Sequence, residues 1–264
     1  MAIRLGIHGA AGRMGQRLTA IGCTDPELQI VAALDQPSHP RMGVDAGVVA
    51  GVGPIGVPLS NTLPDGVSVV IDFSVPEATD AILTTCLENK VPLVIATTGL
   101  EPKQHERIHS ASKQIPILWA PSMSLAVNLA MKLSETAARA LKDHPSGADV
   151  EIIERHHRFK VDAPSGTALK FGEIITSVMG QTEQVHGRSG RPGQRPHSEI
   201  GYHALRTGDN PGEHTIVFGL LGETLEITVR ATNRDCYAHG ALSAAKFLAG
   251  KPAGLYSMKD VLGD

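Results

Sequence analysis

Two adjacent histidines and a nearby lysine stand out in this chain of 264 residues. His156 and His157 are followed three residues later by Lys160, and then by a Pro-Ser-Gly-Thr turn that opens a helix. An imidazole can give or take a proton near neutral pH, and a lysine can hold a carboxylate or donate a proton. The start of a helix attracts anions through its free N–H groups. The turn consists of Ser165, Gly166 and Thr167. This segment predicts acid–base chemistry beside an anion site, although a surface loop with an ordinary helix cap remains the alternative.

A glycine-rich turn near the N-terminus is the second segment whose residues suggest a function. It contains Gly9, Ala10, Ala11, Gly12, Arg13, Met14 and Gly15. Glycines between a strand and a helix let backbone N–H groups approach a pyrophosphate, which the positive end of the helix favours. Asp35 follows Gly15 by 20 residues, at the end of the second strand. A carboxylate there accepts hydrogen bonds from the adenosine ribose, so the pattern predicts a nicotinamide dinucleotide site.

The residue after Asp35 bears on which nicotinamide cofactor is used. It is Gln36, whereas a 2′-phosphate favours a cation at that place. We therefore expect preference for NADH, or use of both NADH and NADPH. Arg13 and Arg41 remain alternative cations for a 2′-phosphate.

Two further strand ends are expected to face the same cofactor. Ligands bind outside the carboxyl ends of the strands in a parallel sheet, and both segments follow predicted strands. We expect them near the nicotinamide, although ordinary strand-to-helix turns are the alternative. The residues assigned to the cofactor here are Ala96, Thr97, Thr98, Ala120, Pro121, Ser122 and Met123.

The first half of the chain alternates apolar strands with helical segments. Helical spacing of apolar residues follows the glycine turn, and nearly continuous apolar runs, typical of buried parallel strands, recur along the chain. The runs are Ile3–His8, Leu28–Leu34, Val67–Phe73, Leu93–Ala96 and Ile115–Trp119, and the helices around Ala78–Leu87 and Pro102–Lys113 lie between the later ones. This order predicts an α/β fold, a doubly wound parallel sheet of Rossmann-like type.

The second half has a different pattern. A helix over Leu125–Leu141 is expected to leave the first domain, and further strands follow without helices between the last three. The predicted elements are a strand over Val150–Ile153, a helix over Ala168–Met179, strands over Ile200–Arg206, His214–Leu220 and Leu225–Ala231, and a helix over Ala241–Leu248. This predicts a second α+β domain for substrate and oligomerisation, with a mixed or antiparallel sheet. We expect a dinucleotide-binding domain over 1–126 plus 235–264, and the second domain over 127–234.

The Gly/Pro/Arg-rich loop Gly187–Pro196 lies within the second domain. Its arginines could reach an anionic ligand, but the composition is more typical of a mobile, solvated loop. We therefore expect this segment to lie in solvent.

Composition limits the function classes. The formal net charge is −3, so no nucleic-acid footprint is visible. No apolar run approaches the roughly 18–20 residues that span a bilayer. The N-terminus is too short and too rich in glycine for a signal peptide, and the 3 cysteines are expected to be free thiols. We expect a cytoplasmic protein with a small-molecule substrate, no nucleic-acid partner and no membrane partner.

His105–His109 formally matches the HExxH pattern of zinc proteases. The two histidines would share one helix face, but the segment is short and no third ligand is evident. Gln104 and Arg107 are also polar where a buried metal helix would need apolar residues. A solvated helix face is the better interpretation, so we expect no metal site.

The segment Glu151–Ala168 resembles the signature of dihydrodipicolinate reductases, the 4-hydroxy-tetrahydrodipicolinate reductases of lysine and diaminopimelate biosynthesis. The resemblance covers nearly the whole chain. Its other motifs are Gly9–Gly15, Ile71–Ser74, Ala96–Gly99, Ile200–Gly201, Arg206–Asp209 and Gly212–His214. It implies reduction of a cyclic imine dicarboxylate with NAD(P)H, and a homotetramer assembled through the C-terminal sheets.

The resemblance also implies roles for individual residues. His156 would be the acid–base residue and Lys160 a proton donor. The substrate carboxylates would be held by His157, Lys160, Ser165, Gly166, Thr167 and Thr98. The cofactor would be bound by Gly9–Met14, Asp35, Ala96–Thr98 and Ala120–Met123. Two departures are visible. Many members carry Glu-Arg where this chain has Asp35-Gln36, which puts the 2′-phosphate contact in doubt, and members often carry Asn where it has Ser122.

Two other functions fit parts of the pattern. A different NAD-linked enzyme, such as an amino-acid dehydrogenase, would explain the glycines and Asp35 but not the whole His-His-Lys segment. A non-catalytic dinucleotide sensor would keep the glycine turn without needing His156 and Lys160.

Overall fold

The structure is a computed structural model that describes residues 2–263. The chain divides into two compact units. The first consists of Met1–Leu125 with Asp235–Asp264, and the second of Ala126–Arg234. No helix among residues 2–263 is long and apolar enough to cross a membrane.

The first unit contains a sheet of seven strands, every adjacent pair of which is parallel. The strands are β1 (Ile3–His8), β2 (Leu28–Leu34), β3 (Leu59–Ser60), β4 (Val69–Asp72), β5 (Leu93–Ile95), β6 (Pro116–Trp119) and β12 (Gly254–Tyr256). The helices are α1 (Arg13–Gly22), α2 (Ala46–Val49), α3 (Pro76–Asn89), α4 (Pro102–Ala111), α7 (Asp235–Leu248) and α8 (Met258–Val261). The order β12-β6-β5-β4-β1-β2-β3 confirms the predicted doubly wound fold.

Apolar side chains point alternately to the two faces of the sheet along each buried strand. This alternation explains why helices cover both faces in this unit. On β4, Val69 and Ile71 belong to the core on one face of the sheet, whereas Val70 belongs to the core on the other. Apolar side chains on both faces require cover on both faces, as in other parallel sheets. The strand order changes direction between β1 and β4, so a crevice opens at their carboxyl ends, where open α/β sheets bind ligands.

The second unit contains a mixed sheet of five strands and two helices. The strands are β7 (Asp149–His156), β8 (Glu183–His186), β9 (Glu199–Arg206), β10 (Glu213–Leu220) and β11 (Glu223–Arg230), in the order β11-β10-β7-β9-β8. The helices are α5 (Leu125–Leu141) and α6 (Gly166–Met179). Val150 and Ile152 of β7 pack with Phe171 of α6 in one core. The intervening residue Ile153 is 39% exposed, so β7 has one covered face and one open face.

The structure differs from the sequence prediction mainly in the last residues. The final helix was predicted over Ala241–Leu248 but begins at Asp235, and the residues after this helix form β12 and α8, which were not predicted. Gly240 lies within this longer helix, and a Cβ there would lie 1.7 Å from the carbonyl oxygen of Met123. Close backbone packing therefore requires glycine at a helical position where glycine lowers the local helix propensity. The short elements α2, β3 and β8 were also missed.

The prediction that Gly187–Pro196 is simply solvated was wrong for two of its arginines. Arg188 donates to both Glu151 and Glu199, at 2.9 Å each. Arg195 pairs with Asp149 at 2.6 Å and donates to the carbonyl oxygens of Val150 and Glu199. The loop is therefore attached to the sheet through charge-assisted hydrogen bonds.

Candidate functional site

A cleft of about 510 Å³ lies at the crevice between β1 and β4 in the first unit. Seven of the residues predicted to bind the cofactor line it: Gly9, Ala11, Gly12, Arg13, Met14, Asp35 and Gln36. Six further lining residues were not predicted from the sequence: His8, His39, Phe73, Ser74, Val75 and Ala78. The cleft thus combines the glycine turn, the end of β2 and the start of α3.

Glycines are required in this turn because other backbone atoms lie very close to it. Gly9 has a φ of +77°, and a Cβ there would lie 2.6 Å from the carbonyl oxygen of Phe73. A Cβ on Gly15 would lie 2.1 Å from the carbonyl oxygen of Gly9. The start of α1 therefore packs directly on the turn, and its free N–H groups lie at the cleft.

Asp35 supports the turn as well as lining the cleft. One carboxylate oxygen accepts from the backbone N–H of Ala11 at 2.9 Å, and the other accepts from the N–H of Gln36 at 2.9 Å. The carboxylate retains lone pairs for ribose hydroxyls, because each oxygen can accept more than one hydrogen bond. Arg13 lines the cleft, whereas Arg41 is not among its lining residues. This donor and acceptor set fits a dinucleotide.

Ala10 of the glycine turn was also predicted to bind the cofactor, but it is buried and does not line this cleft. The other predicted cofactor residues follow β5 and β6 and do not line the cleft either. Thr97 is buried, and its hydroxyl donates to Asp72 at 3.0 Å and accepts from the N–H of Ser74 at 3.1 Å. It therefore has a structural role at the sheet edge. Ala96, Ala120 and Met123 are buried, Thr98 and Pro121 are exposed, and Ser122 is intermediate.

The acid–base segment of the second unit is built around a buried carboxylate. His156 donates from Nδ1 to Oε2 of Glu154 at 2.5 Å. The side chain of Glu154 is fully buried. It also accepts hydrogen bonds from both terminal nitrogens of Arg206, at 2.9 and 2.7 Å. Its other oxygen, Oε1, accepts the backbone N–H of Ser165 at 3.1 Å. One carboxylate therefore joins His156, Arg206 and the start of α6.

Glu154 remains ionised over a wide pH range. Burial raises its pKa, but the hydrogen bonds from His156 and Arg206 outweigh burial and lower the pKa to about 2. An ionised Glu154 fixes the proton of His156 on Nδ1 and leaves Nε2 as the nitrogen available to a ligand. Gly212 leaves room there, because a Cβ at that residue would lie 3.0 Å from Nε2.

His214 is a second histidine of this cluster and is kept neutral. Its ring is buried and lies edge-on to His156, with ring centroids 5.3 Å apart. Its Nε2 and the hydroxyl of Ser165 share a hydrogen bond of 3.1 Å. Burial, and then the charge of His156, lower the pKa of His214 to about 4. A neutral His214 supports the cap of α6 without adding charge beside His156.

Lys160 lies in the loop between β7 and α6. Its ammonium group pairs with Asp162 at 2.8 Å, and that hydrogen bond lowers the pKa of Asp162. The carbonyl oxygen of Asp162 accepts from Arg206 at 2.7 Å, so Arg206 ties the loop to the buried Glu154. His157 lies in the same loop, and its Nδ1 is buried without a hydrogen-bond partner among residues 2–263.

The start of α6 has the free backbone donors that an anion site would require. Ser165 caps the helix by accepting the N–H of Ala168 at 3.2 Å. The N–H groups of Gly166 and Thr167 have no acceptor within the described part of the chain, because the first turn of a helix lacks internal partners. A Cβ on Gly166 would meet nothing within 4 Å, so the space beside these donors is open.

Glu154, Arg206 and His214 lie within motifs of the family resemblance, but the sequence assigned no role to them. The strand period would have found Glu154, because it lies two residues before His156 and shares its face. Arg206 and His214 required the sheet register, in which His156 pairs with Arg206 and Glu154 pairs with His214. No local pattern predicts that register.

The His105–His109 segment packs on a tryptophan. The ring centroid of His105 lies 4.6 Å from that of Trp119, and the centroid of His109 lies 6.4 Å from it. Over residues 2–263, no group of three or more His, Cys, Asp or Glu side chains could hold a metal ion. The two histidines therefore have a packing role on α4.

Comparison with known proteins identifies close relatives. Residues 3–123 match the family model for the N-terminus of dihydrodipicolinate reductase, and residues 126–262 match the model for its C-terminus. The 4-hydroxy-tetrahydrodipicolinate reductase of Rhodopirellula baltica is 56% identical, over 99% of this chain and 96% of the relative. That of Methylococcus capsulatus is 45% identical, over 100% of this chain and 99% of the relative.

Solved structures agree with these relatives. The dipicolinate-bound dihydrodipicolinate reductase of Paenisporosarcina sp. TG-14 has a TM-score of 0.79 and 25% identity, covering 97% of this chain and 98% of that chain. Aspartate dehydrogenase of Thermotoga maritima has a TM-score of 0.51 and 16% identity, over 96% of this chain and 99% of that chain. The second similarity is one of fold alone.

Proposed function

This chain belongs to the dihydrodipicolinate reductase family, and on that premise we propose how it acts. It is an NAD(P)H-dependent 4-hydroxy-tetrahydrodipicolinate reductase of lysine and diaminopimelate biosynthesis. The product of the reduction is tetrahydrodipicolinate. The observation that carries the mechanism is the buried Glu154 carboxylate, which accepts Nδ1–H of His156 at 2.5 Å within the reductase signature.

His156 delivers the proton in this proposal. When bound in the first unit, the reduced nicotinamide supplies a hydride to C4 of the cyclic, conjugated imine dicarboxylate. Addition of the hydride leaves an electron pair in the conjugated system, which must take up one proton to complete the reduction. Protonated His156 donates it from Nε2, because Glu154 holds Nδ1. Ionised Glu154 also stabilises the charged imidazolium before transfer.

The loop and the start of α6 hold the substrate carboxylates in this proposal. Lys160 supplies a cation for a substrate carboxylate and is the alternative donor of the single proton that the reduction requires. The hydroxyl of Ser165 and the N–H groups of Gly166 and Thr167 supply hydrogen bonds to an anion. His157 and Thr98 complete the proposed substrate set. The buried, unpaired Nδ1 of His157 and the open space beside Gly166 support this assignment.

The cofactor is proposed to be NADH, or both NADH and NADPH. Asp35 faces the cleft as a carboxylate that suits the two free ribose hydroxyls of NADH. Gln36 adds no charge for a 2′-phosphate, and Arg13 is the cation among the cleft residues that could accept one. Gly9–Met14, Asp35, Gln36, Ala96–Thr98 and Ala120–Met123 form the proposed cofactor-binding set.

We propose a homotetramer assembled through the open face of the second sheet. Ile153 and Leu205 are each 39% exposed on that face, and burial of such apolar side chains favours association. Light scattering after size exclusion should give four times the mass of one chain, 27.8 kDa. A monomer mass at micromolar concentration would contradict the tetramer.

Complementation tests the proposed function in a cell. We propose that the protein acts in the cytoplasm, where its diffusible substrate and cofactor occur. A bacterial strain without its own reductase requires added diaminopimelate, and this chain should restore growth without it. The His156→Gln variant, produced at the same level, should not. Failure of the wild-type chain to restore growth would contradict the proposed function.

A further inference from the structure

A histidine and a buried aspartate form a dyad in the nucleotide cleft. His8 is the last residue of β1 and Asp72 is the last residue of β4, and the two are paired in the parallel register. Nδ1 of His8 donates to Oδ1 of Asp72 at 2.7 Å. His8 lines the cleft together with the glycine turn, whereas Asp72 is 0% exposed.

Asp72 is held as an acceptor by its surroundings. The hydroxyl of Ser74 donates to the same oxygen as His8, at 2.5 Å. The hydroxyls of Thr79 and Thr97 donate to the other oxygen, at 2.9 and 3.0 Å. All four partners are donors, as an ionised carboxylate requires.

The dyad leaves one nitrogen of His8 without a role in the fold. Nε2 has no hydrogen-bond partner among the described residues and is not buried, because it is absent from the unpaired buried atoms. Asp72 holds the proton on Nδ1, so Nε2 accepts hydrogen bonds when the ring is neutral and donates when the ring is charged. The dyad therefore presents a donor to the cleft that depends on pH.

We propose that charged His8 donates from Nε2 to a phosphate oxygen of the bound dinucleotide. This inference rests on the proposed function in one respect, because it takes the dinucleotide to be the ligand of the cleft. The glycine turn begins at the next residue, and the start of α1 attracts the diphosphate to the same cleft. Affinity for the cofactor then falls as pH rises and His8 loses its proton.

Other charged or titratable groups lie around the dyad, so the experiment must distinguish their effects from the effect of His8. Asp35 at the end of β2, Arg13 of α1 and His39 line the same cleft. Cys86 of α3 lies near Asp72, and burial followed by the charge of Asp72 raises the pKa of its thiol. His39 is the other histidine of the cleft, so it requires its own control.

Three forms of residue 8 test the proposal through binding of NADH to the free enzyme. Isothermal titration gives Kd at about pH 6 and about pH 8.5, on the acid and alkaline sides of neutrality. The wild-type Kd should rise about tenfold between them, the usual effect of losing a hydrogen bond to a charged group. His8→Gln places an amide donor near Nε2 and should bind tightly at both pH values. His8→Asn keeps a donor to Asp72 alone and should bind about tenfold more weakly at both.

His39→Asn is the matched control from the same cleft and should keep the wild-type pH dependence. Wild-type binding that does not change with pH, or a dependence that disappears in His39→Asn, would overturn the role of His8. Equal weakening by His8→Gln and His8→Asn would also overturn it, because the dyad would then serve only the fold. Absence of NADH and NADPH binding to the wild-type enzyme would overturn the proposed function as well.

Discussion

Glu154 joins three parts of the second unit through a single buried carboxylate. It contacts the proposed acid–base residue His156, the guanidinium of Arg206 and the backbone N–H of Ser165. A buried carboxylate with these partners stabilises the fold and also fixes the proton of His156 on Nδ1. In the proposed mechanism, Glu154 therefore has both a structural and a chemical role.

The contribution of Glu154 to the stability of the wild-type protein should be lost in acid. The pKa of Glu154 is lowered from an ordinary 4.5 to about 2, so its contribution is present above pH 4.5 and is lost as the pH falls toward 2. A difference of that size corresponds to about 3 kcal/mol at most. Urea unfolding of the wild type and Glu154→Gln at several pH values should show their difference shrinking in acid. A difference independent of pH would contradict this role, and the exposed Glu173→Gln serves as the matched control.

Turnover should depend on His156 and Lys160 much more than on other cationic residues. His156→Gln and Lys160→Ala should each lower kcat by at least about 10²-fold, the usual effect of losing an acid–base group. NADH binding to the free enzyme should be retained. His197→Gln, whose side chain is 72% exposed, is the control for a surface histidine and should match the wild type. Near-normal turnover in both site variants would exclude the proposed roles.

At the scale of the elements, Gly15 allows α1 to pack closely against the glycine turn. Alanine favours a helix interior over glycine by about 1 kcal/mol. The added Cβ would nevertheless lie 2.1 Å from the carbonyl oxygen of Gly9, and the backbone cannot move away without opening the turn. Overpacking of this kind costs about 1–3 kcal/mol, so the contact outweighs the propensity.

Gly15→Ala should therefore lower both Tm and affinity for NADH. The expected loss in Tm is several degrees for a unit of this size. Gly219→Ala is the matched control, because its Cβ would make only an ordinary contact of 3.9 Å with Asp149. Calorimetry and a binding titration give both values. A Gly15→Ala protein that is as stable as the control and binds NADH normally would contradict the close packing.

The loop Gly187–Pro196 should lose its order when Arg195 is removed. Arg195 is 16% exposed and holds Asp149, Glu151 and two backbone oxygens. Hydrogen–deuterium exchange in this loop should become faster in Arg195→Ala, because those contacts protect it. Arg191→Ala, an exposed arginine of the same loop, should leave exchange unchanged. Equal exchange in the two variants would show that the ion pairs do not order the loop.

Prediction of elements from the sequence succeeded where the periodicity was long. Leu28–Leu34 and Leu125–Leu141 have the predicted bounds, because continuous apolar runs and long amphipathic patterns depend little on context. The strand β12 has three residues and forms only by pairing with β6, which is distant in sequence. Arg188 and Arg195 were misinterpreted for the same reason, since their acidic partners lie on other strands.

At the scale of the whole molecule, the C-terminal segment returns to the first unit. Ala241, Leu242 and Leu248 of α7 belong to the same core as Leu5 and Ile7 of β1. The alternation of strands and helices predicted the fold class of this unit, and the resemblance predicted the family. The position of Arg206 beside His156, and of Asp72 beside His8, could not be predicted, because it depends on the sheet register.

The central claim is that this chain reduces 4-hydroxy-tetrahydrodipicolinate. The most direct measurement is the initial rate of NADH and NADPH oxidation with this substrate, generated enzymatically and freshly supplied. We predict turnover that requires the substrate, with a rate for NADH at least equal to that for NADPH because Gln36 follows Asp35. Faster turnover with NADPH would keep the reaction and assign the 2′-phosphate to another cation such as Arg13. No turnover with either cofactor would contradict the claim.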